Sequence, residues 1–135
     1  MAGGKQAVNN SKAVVREVRR LAAKLHLDVA VEYSVGRRLW GAKRKIDVVL
    51  KSPTSGKILG VECKGQRKSG TAEEKIPTTI QDIKAWPIEG IVVFSGEGFT
   101  TNMRSYLIST GKAVALEDLE PWLRLYFGLP LVHED

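Results

Sequence analysis

Residues 45–64 read KIDVVLKSPTSGKILGVECK, and they contain two strand-like segments on either side of a turn. Residues 45–51 and 58–64 are rich in Val, Ile and Leu, whereas residues 52–57 are rich in turn formers. This pattern predicts an antiparallel hairpin. A turn centred between Thr54 and Ser55 places Asp47 directly opposite Glu62, so that both side chains share one face of the hairpin.

Lys64 joins these two acids, because residues two apart on a strand point to the same face while Cys63 points to the other. Directly opposed residues have Cβ atoms about 5 Å apart, so the two carboxylates repel each other, and the repulsion raises the pKa of one of them. A magnesium ion would relieve that repulsion, since it prefers one or two carboxylates together with water and substrate phosphate. The hairpin therefore predicts a Mg²⁺ site at which Lys64 assists a water in phosphodiester hydrolysis. The alternative is a surface hairpin with weak, exposed ion pairs.

Ile46-Asp47, the turn-containing spacer and Glu62-Cys63-Lys64 together resemble the signature of the PD-(D/E)XK nucleases, with Ile46 where the motif has proline. The predicted elements of residues 11–94 also resemble that family's common core. The resemblance implies that Asp47 and Glu62 bind Mg²⁺, which Mn²⁺ can replace, and that the backbone carbonyl of Cys63 adds a ligand. It implies that the catalytic residues are Asp47, Glu62 and Lys64.

Two further acids are candidates for the metal site. Many members of the family add an acid from the first helix, which would be Glu17 here; the alternative is a solvated Glu17 that balances the arginines around it. Glu32 lies on a predicted strand beside the hairpin, so it could approach the metal or face water.

The rest of the chain alternates between helical and strand-like patterns. Residues 12–25 have helical spacing with Ser11 as the expected N-cap, and residues 72–86 form a predicted helix with Pro77 near its start. Further helices are expected at residues 101–110 and 119–127, and further strands at residues 29–35, 91–94 and 113–116. The order predicts an α/β fold with a central mixed sheet flanked by helices, a restriction-endonuclease-like core. Residues 1–10 are expected to form a flexible tail, and residues 11–135 a single nuclease-like domain.

Charge points to a polyanionic partner. Residues 1–70 contain 16 Lys and Arg against 5 Asp and Glu, whereas residues 71–135 contain 5 against 10. A strongly basic surface attracts nucleic acid, and DNA is the expected partner. The candidate DNA-binding residues lie around the predicted site and in the loop and helix that follow it: Lys43, Arg44, Lys45, Gln66, Arg67, Lys68 and Lys75.

Length and composition limit the remaining options. The 135 residues suit one domain, a single cysteine excludes an intrachain disulfide, and no apolar run approaches the roughly 20 residues that span a bilayer. These features predict a cytoplasmic protein that does not associate with membranes.

We therefore expect a Mg²⁺-dependent DNA endonuclease of restriction, homing or junction-resolving type. One chain offers one active site, so a homodimer is expected, with its interface in the apolar residues 121–129. The alternatives are a non-catalytic DNA-binding subunit with the same fold, and a nucleotide-binding protein that uses Gly96-Glu97-Gly98, although this segment lacks the lysine of a phosphate-binding loop. A duplex site, a Holliday junction, a flap and a strand end all remain possible substrates.

Overall fold

The structure, a computed structural model, describes residues 10–37, 43–66, 71–96 and 99–131, with the backbone alone for Arg37, Lys43 and residues 71–76. The described helices are α1 (Ser11–Lys24), α2 (Thr71–Ala85), α3 (Thr101–Ser109) and α4 (Leu119–Phe127), the last preceded by a 3₁₀ turn at Leu116–Asp118. The described strands are β1 (Asp28–Arg37), β2 (Lys43–Lys51), β3 (Ile58–Gly65), β4 (Gly90–Ser95) and β5 (Ala113–Ala115). The predicted order of elements is confirmed.

The five strands form one mixed sheet in the order β1-β2-β3-β4-β5. β1, β2 and β3 are antiparallel, while β4 and β5 run parallel to β3. The hairpin register runs from Lys51↔Ile58 to Val48↔Val61, which is the register expected from a turn between Thr54 and Ser55. Within that turn the Gly56 N–H donates to the carbonyl of Ser52 at 2.8 Å. The predicted α/β class is therefore confirmed.

Helices cover both faces of the sheet. On β4, Ile91 and Val93 pack with α1 and α4, whereas Val92 and Phe94 pack with α2 and α3. A strand that is covered on both faces needs apolar residues at every position, which explains the continuous run that follows Gly90. Among the described helices, none combines the length and the apolar character that a membrane-spanning segment needs.

The cap of one helix and the position of a proline in another differ from the sequence expectations. Asn10, not Ser11, caps α1, because its side-chain Oδ1 accepts the Ala13 N–H at 2.9 Å. Asn10 also pairs with Gln66 as an isolated bridge, so this residue of the expected tail is attached to the end of β3. Pro77 lies inside α2 and not near its start.

Most apolar side chains of residues 121–129 pack within the chain, and this removes the reason for predicting a dimer interface there. Leu123 and Phe127 are buried in the core beneath α1, and Trp122 and Tyr126 pack against that core. The Tyr126 hydroxyl donates to the carbonyl of Ile58 at 2.9 Å, which attaches α4 to β3. Most of the apolar side chains that favoured an interface therefore belong to the core of the chain or pack against it.

Gly60 on β3 lies under Trp86, and a side chain there would disturb the sheet. A Cβ on Gly60 would lie 2.8 Å from Cζ3 of Trp86, closer than atoms pack without a shift. We expect Gly60→Ala to lower the free energy of unfolding by about 1–3 kcal/mol, measured by urea denaturation. Combining it with Trp86→Phe should recover part of the loss, because the smaller ring leaves room for the methyl group. Strictly additive losses in the double variant would contradict this account.

Candidate active site

Asp47 lies where the regular pairing of β2 with β3 stops. Among the described residues of β1, β2 and β3, Asp47 is paired in neither ladder. The β1–β2 ladder passes from Val31↔Val48 to Tyr33↔Ile46, and the β2–β3 ladder ends at Val48↔Val61. Glu32, opposite this gap on β1, has a positive φ of 50°, which is uncommon for a residue other than glycine. The irregular backbone leaves main-chain groups near Asp47 for side chains to bind.

Two hydrogen bonds cross from β2 to β3 at this point. The Cys63 N–H donates to Oδ2 of Asp47 at 2.9 Å, and the Asp47 N–H donates to Oε1 of Glu62 at 3.1 Å. Each carboxylate thus accepts a bond from the other strand. The structure brings Asp47 and Glu62 together as the hairpin geometry predicted, through these bonds and not through regular ladder pairing.

Glu62 and Lys64 lie on the sheet face that α2 covers. Gly60, two residues before Glu62, contacts Trp86 at the end of α2, and the negative charge of Asp82 on α2 raises the pKa of Glu62. Burial raises the pKa of both Asp47 and Glu62, and the positive charge of Lys64 offsets part of that change at each acid. The structure therefore brings two acids together across β2 and β3, within the electrostatic influence of a lysine.

The side chain of Cys63 points to the opposite face. It is buried in the core that includes α1, and burial raises the pKa of its thiol well above the ordinary value. A thiol that stays protonated is a poor nucleophile. Cys63 can contribute only through its backbone. Its N–H points toward Asp47, and since N–H and C=O of one strand residue point to the same neighbour, its carbonyl also lies on the β2 side.

Both carboxyl groups are perturbed by burial. Burial raises the pKa of Asp47, and the hydrogen bond from Cys63 offsets part of the change. Burial and then the charge of Asp47 raise the pKa of Glu62 to about 7. Ionising both groups is therefore costly unless a cation lies between them.

The donor set fits a hard divalent cation. Two carboxylates and one backbone carbonyl are oxygen ligands of the kind that Mg²⁺ prefers, with water and substrate completing its coordination. Within residues 10–37, 43–66, 71–96 and 99–131, no group of three or more His, Cys, Asp or Glu side chains is arranged to hold a metal ion. A cation here would thus depend on ligands beyond the protein side chains.

The two extra acids differ in position. Glu17 forms an ion pair with Arg20 at 3.2 Å on α1, a helix that packs on the face opposite Glu62. Glu32 is the residue whose negative charge raises the pKa of Asp47, so it lies nearer to the paired acids. Of these two candidates, the structure brings only Glu32 toward the site.

The basic candidates are in different environments. Lys45 is exposed, whereas Arg44 is half-buried, with its guanidinium 3.9 Å from Asp82. Within the described part of the chain, Nε of Arg44 is buried without a hydrogen-bond partner. Gln66 is only 7% exposed, and its N–H donates to the carbonyl of Ser95 at 3.1 Å, so it is not on an open surface. The backbones of Lys43 and Lys75 lie in β2 and α2, and Arg67 and Lys68 lie outside the described residues, as do Glu97 and Gly98 of the glycine-rich segment.

Asp82 lies near the paired acids although no sequence pattern indicates it. It lies on α2, it faces both Arg44 and Glu62, and nothing in its local sequence distinguishes it from a solvated helix residue. A helical acid reaches the hairpin only through packing of α2 on the sheet.

Comparison with models of known protein families identifies the family of this chain. A family model described as a PD-(D/E)XK nuclease superfamily domain matches residues 5–123. The chain belongs to the PD-(D/E)XK nuclease superfamily. The matched range of this PD-(D/E)XK domain contains the whole sheet, and therefore Asp47, Glu62 and Lys64. No curated protein and no solved structure matches the chain. PD-(D/E)XK nucleases generally use divalent metals, in agreement with the donor set described above.

Proposed function

We propose that this PD-(D/E)XK protein is a Mg²⁺-dependent DNA endonuclease, with Asp47 and Glu62 as metal ligands and Lys64 as the group that acts on the attacking water. One observation carries the proposal: two partly buried carboxylates are each hydrogen-bonded to the backbone of the other's strand, and the charge of one lysine acts on both. Burying two adjacent acids opposes folding, so the arrangement is better explained by a ligand than by stability.

The residues divide the chemistry among themselves. Asp47 and Glu62, with the carbonyl of Cys63, would hold the cation. When bound, the cation acts as a Lewis acid on the scissile phosphate and lowers the pKa of a bound water. The ammonium group of Lys64 orients that water and stabilises the negative charge that grows on the phosphoryl oxygens. The hydrogen bond from Cys63 keeps Asp47 directed into the site.

Substrate binding is supported by charge. The exposed Lys45 lies two residues before Asp47, and the half-buried Arg44 directly precedes Lys45. A bound phosphodiester backbone would offer Arg44 a closer acceptor than Asp82 does, and Arg can bind phosphate through two parallel hydrogen bonds. Cutting both strands of a duplex with one site per chain would use two copies, and we propose a homodimer on that ground.

The decisive test is cleavage of defined DNA. Purified protein should be incubated with supercoiled plasmid, linear duplex and a four-way junction, in Mg²⁺, Mn²⁺ or EDTA. We expect cleavage with either metal and none in EDTA. Cuts at one sequence would favour restriction or homing, and cuts near the branch point would favour junction resolution. Binding without cleavage of any substrate in either metal would instead identify a non-catalytic DNA-binding subunit.

Glu32 and Glu17 offer a matched comparison of the two extra acids. We expect Glu32→Gln to raise the Mg²⁺ concentration at half-maximal cleavage several-fold, because it removes a negative charge close to Asp47. Glu17→Gln should leave that concentration unchanged, since Glu17 is paired with Arg20 on the other face. Metal titrations of cleavage rate measure both. The reverse ranking would make the helix residue the third acid.

A further inference from the structure

A groove of about 360 Å³ lies on the sheet face that α2 covers, the face of Glu62. Its floor follows the strand register: Asp28, Lys51 and Ile58 form one row across β1, β2 and β3, and Ala30 and Val49 form the next. Asp47 lies two residues from Val49 on β2, and two crossing hydrogen bonds join it to Cys63 and Glu62 of β3. Val49 in the groove is therefore one two-residue step, about 7 Å along the backbone of β2, from Asp47.

The walls of the groove are apolar and include one exposed aromatic ring. Pro87 and Ile88 form one wall, next to the Trp86 ring that covers Gly60. Tyr33 forms part of the other and is 56% exposed. Tyr33 follows Glu32, whose positive φ interrupts the alternation of β1, and it shares its face with Ile46 of the α2-side core.

These dimensions and residues suit a flat aromatic ligand. The volume is at the lower end of the range for small-molecule sites, which is too small for a duplex. An exposed tyrosine offers a surface on which a base can stack, whatever its identity. Lys51 and Asp28 lie in the row farthest from the acids, where a cation can meet a backbone phosphate and a carboxylate can accept from a base amine.

We propose that this groove binds an unpaired nucleobase of the DNA strand, one or two nucleotides from the phosphate held at Asp47 and Glu62. The inference rests on the proposed nuclease function, from which it takes the position of the strand. A base can enter only when it is out of the helical stack, so the protein would prefer flaps, bulges, junctions or single-stranded ends to continuous duplex.

The proposal is tested by equilibrium binding in EDTA, where cleavage does not occur. A fluorescent duplex with a short single-stranded overhang is compared with the same DNA carrying abasic sites in the overhang. We expect wild-type protein to bind the abasic DNA about tenfold more weakly, as the loss of one stacked base predicts. Tyr33→Ala should bind both DNAs equally, and Tyr33→Phe should retain the difference. Tyr106→Ala, which removes an exposed tyrosine from α3, is the matched control and should behave like wild type.

A second variant blocks the groove without removing an aromatic ring. Ala30→Trp places a large side chain on its floor and should also abolish the base-dependent difference. Equal binding of intact and abasic DNA by wild-type protein would overturn the proposal, as would an unchanged difference in Tyr33→Ala. A wild-type dimer that Ala30→Trp converts to monomer, with base dependence intact, would assign the groove to contact between copies and also overturn it. Cleavage of the same DNA in Mg²⁺ tests the nuclease function separately.

Discussion

Asp47→Asn is expected to slow Mg²⁺-dependent DNA cleavage about a thousandfold, which corresponds to about 4 kcal/mol of transition-state stabilisation. Asparagine removes the charge that a hard cation requires. Its amide oxygen can still accept the Cys63 N–H, so the crossing between β2 and β3 should survive. The loss should therefore appear in the chemical step and not in folding.

Single-turnover cleavage of plasmid DNA measures the rate, and anisotropy in EDTA measures binding. Binding should change little, because the basic residues are untouched. Glu117→Gln is the control, since it removes a carboxylate that is paired with Arg104 outside the site. A cleavage rate for Asp47→Asn within about tenfold of wild type would contradict the assignment of Asp47 as a metal ligand.

The second large effect concerns stability. Glu62→Gln should make the metal-free protein more stable at pH 8 by up to about 3 kcal/mol, while abolishing cleavage. The pKa of Glu62 is about 7 in the folded protein and near 4.5 in an exposed side chain. Between these values the folded protein retains a proton that the unfolded chain has released. The free energy of unfolding therefore falls as pH rises through this window, and the full penalty is present above it.

Urea denaturation from pH 4.5 to pH 8 in EDTA measures this dependence. The wild-type protein should lose stability as pH rises, and Glu62→Gln should show a much smaller slope, with its amide oxygen still accepting the Asp47 N–H. Adding Mg²⁺ at pH 8 should stabilise the wild type and not the variant, because only the folded wild type has both carboxylates to bind the ion. A variant that is less stable than wild type at pH 8 would contradict this account of Glu62.

Much of the fold was predictable because its signals are local. The turn formers of residues 52–57 determine the hairpin register, and the confirmed pair Val48↔Val61 follows from that turn alone. The amphipathic pattern of α1 and the apolar run of β4 likewise predict which residues are buried, since helix and strand periodicities are properties of neighbouring residues. The cap of α1 was missed by one residue, because Ser and Asn are both good caps and the bridge to Gln66 favours Asn10.

The predicted juxtaposition of Asp47 and Glu62 also came from a local rule, whereas the way they are held did not. The irregularity at Glu32, the approach of Asp82 to Arg44 and the burial of Gln66 all involve residues from distant parts of the chain. The groove beside the acids forms only when Ile88 lies over β3. The apolar residues of α4 become buried only when α4 packs on the sheet. The sequence alone determined the hairpin, the mixed sheet and the candidate acids, because each depends on spacing along the chain. Tertiary structure decided the pKa values, the approach of Asp82 to Arg44 and the groove, because burial and charge depend on which distant segments pack together.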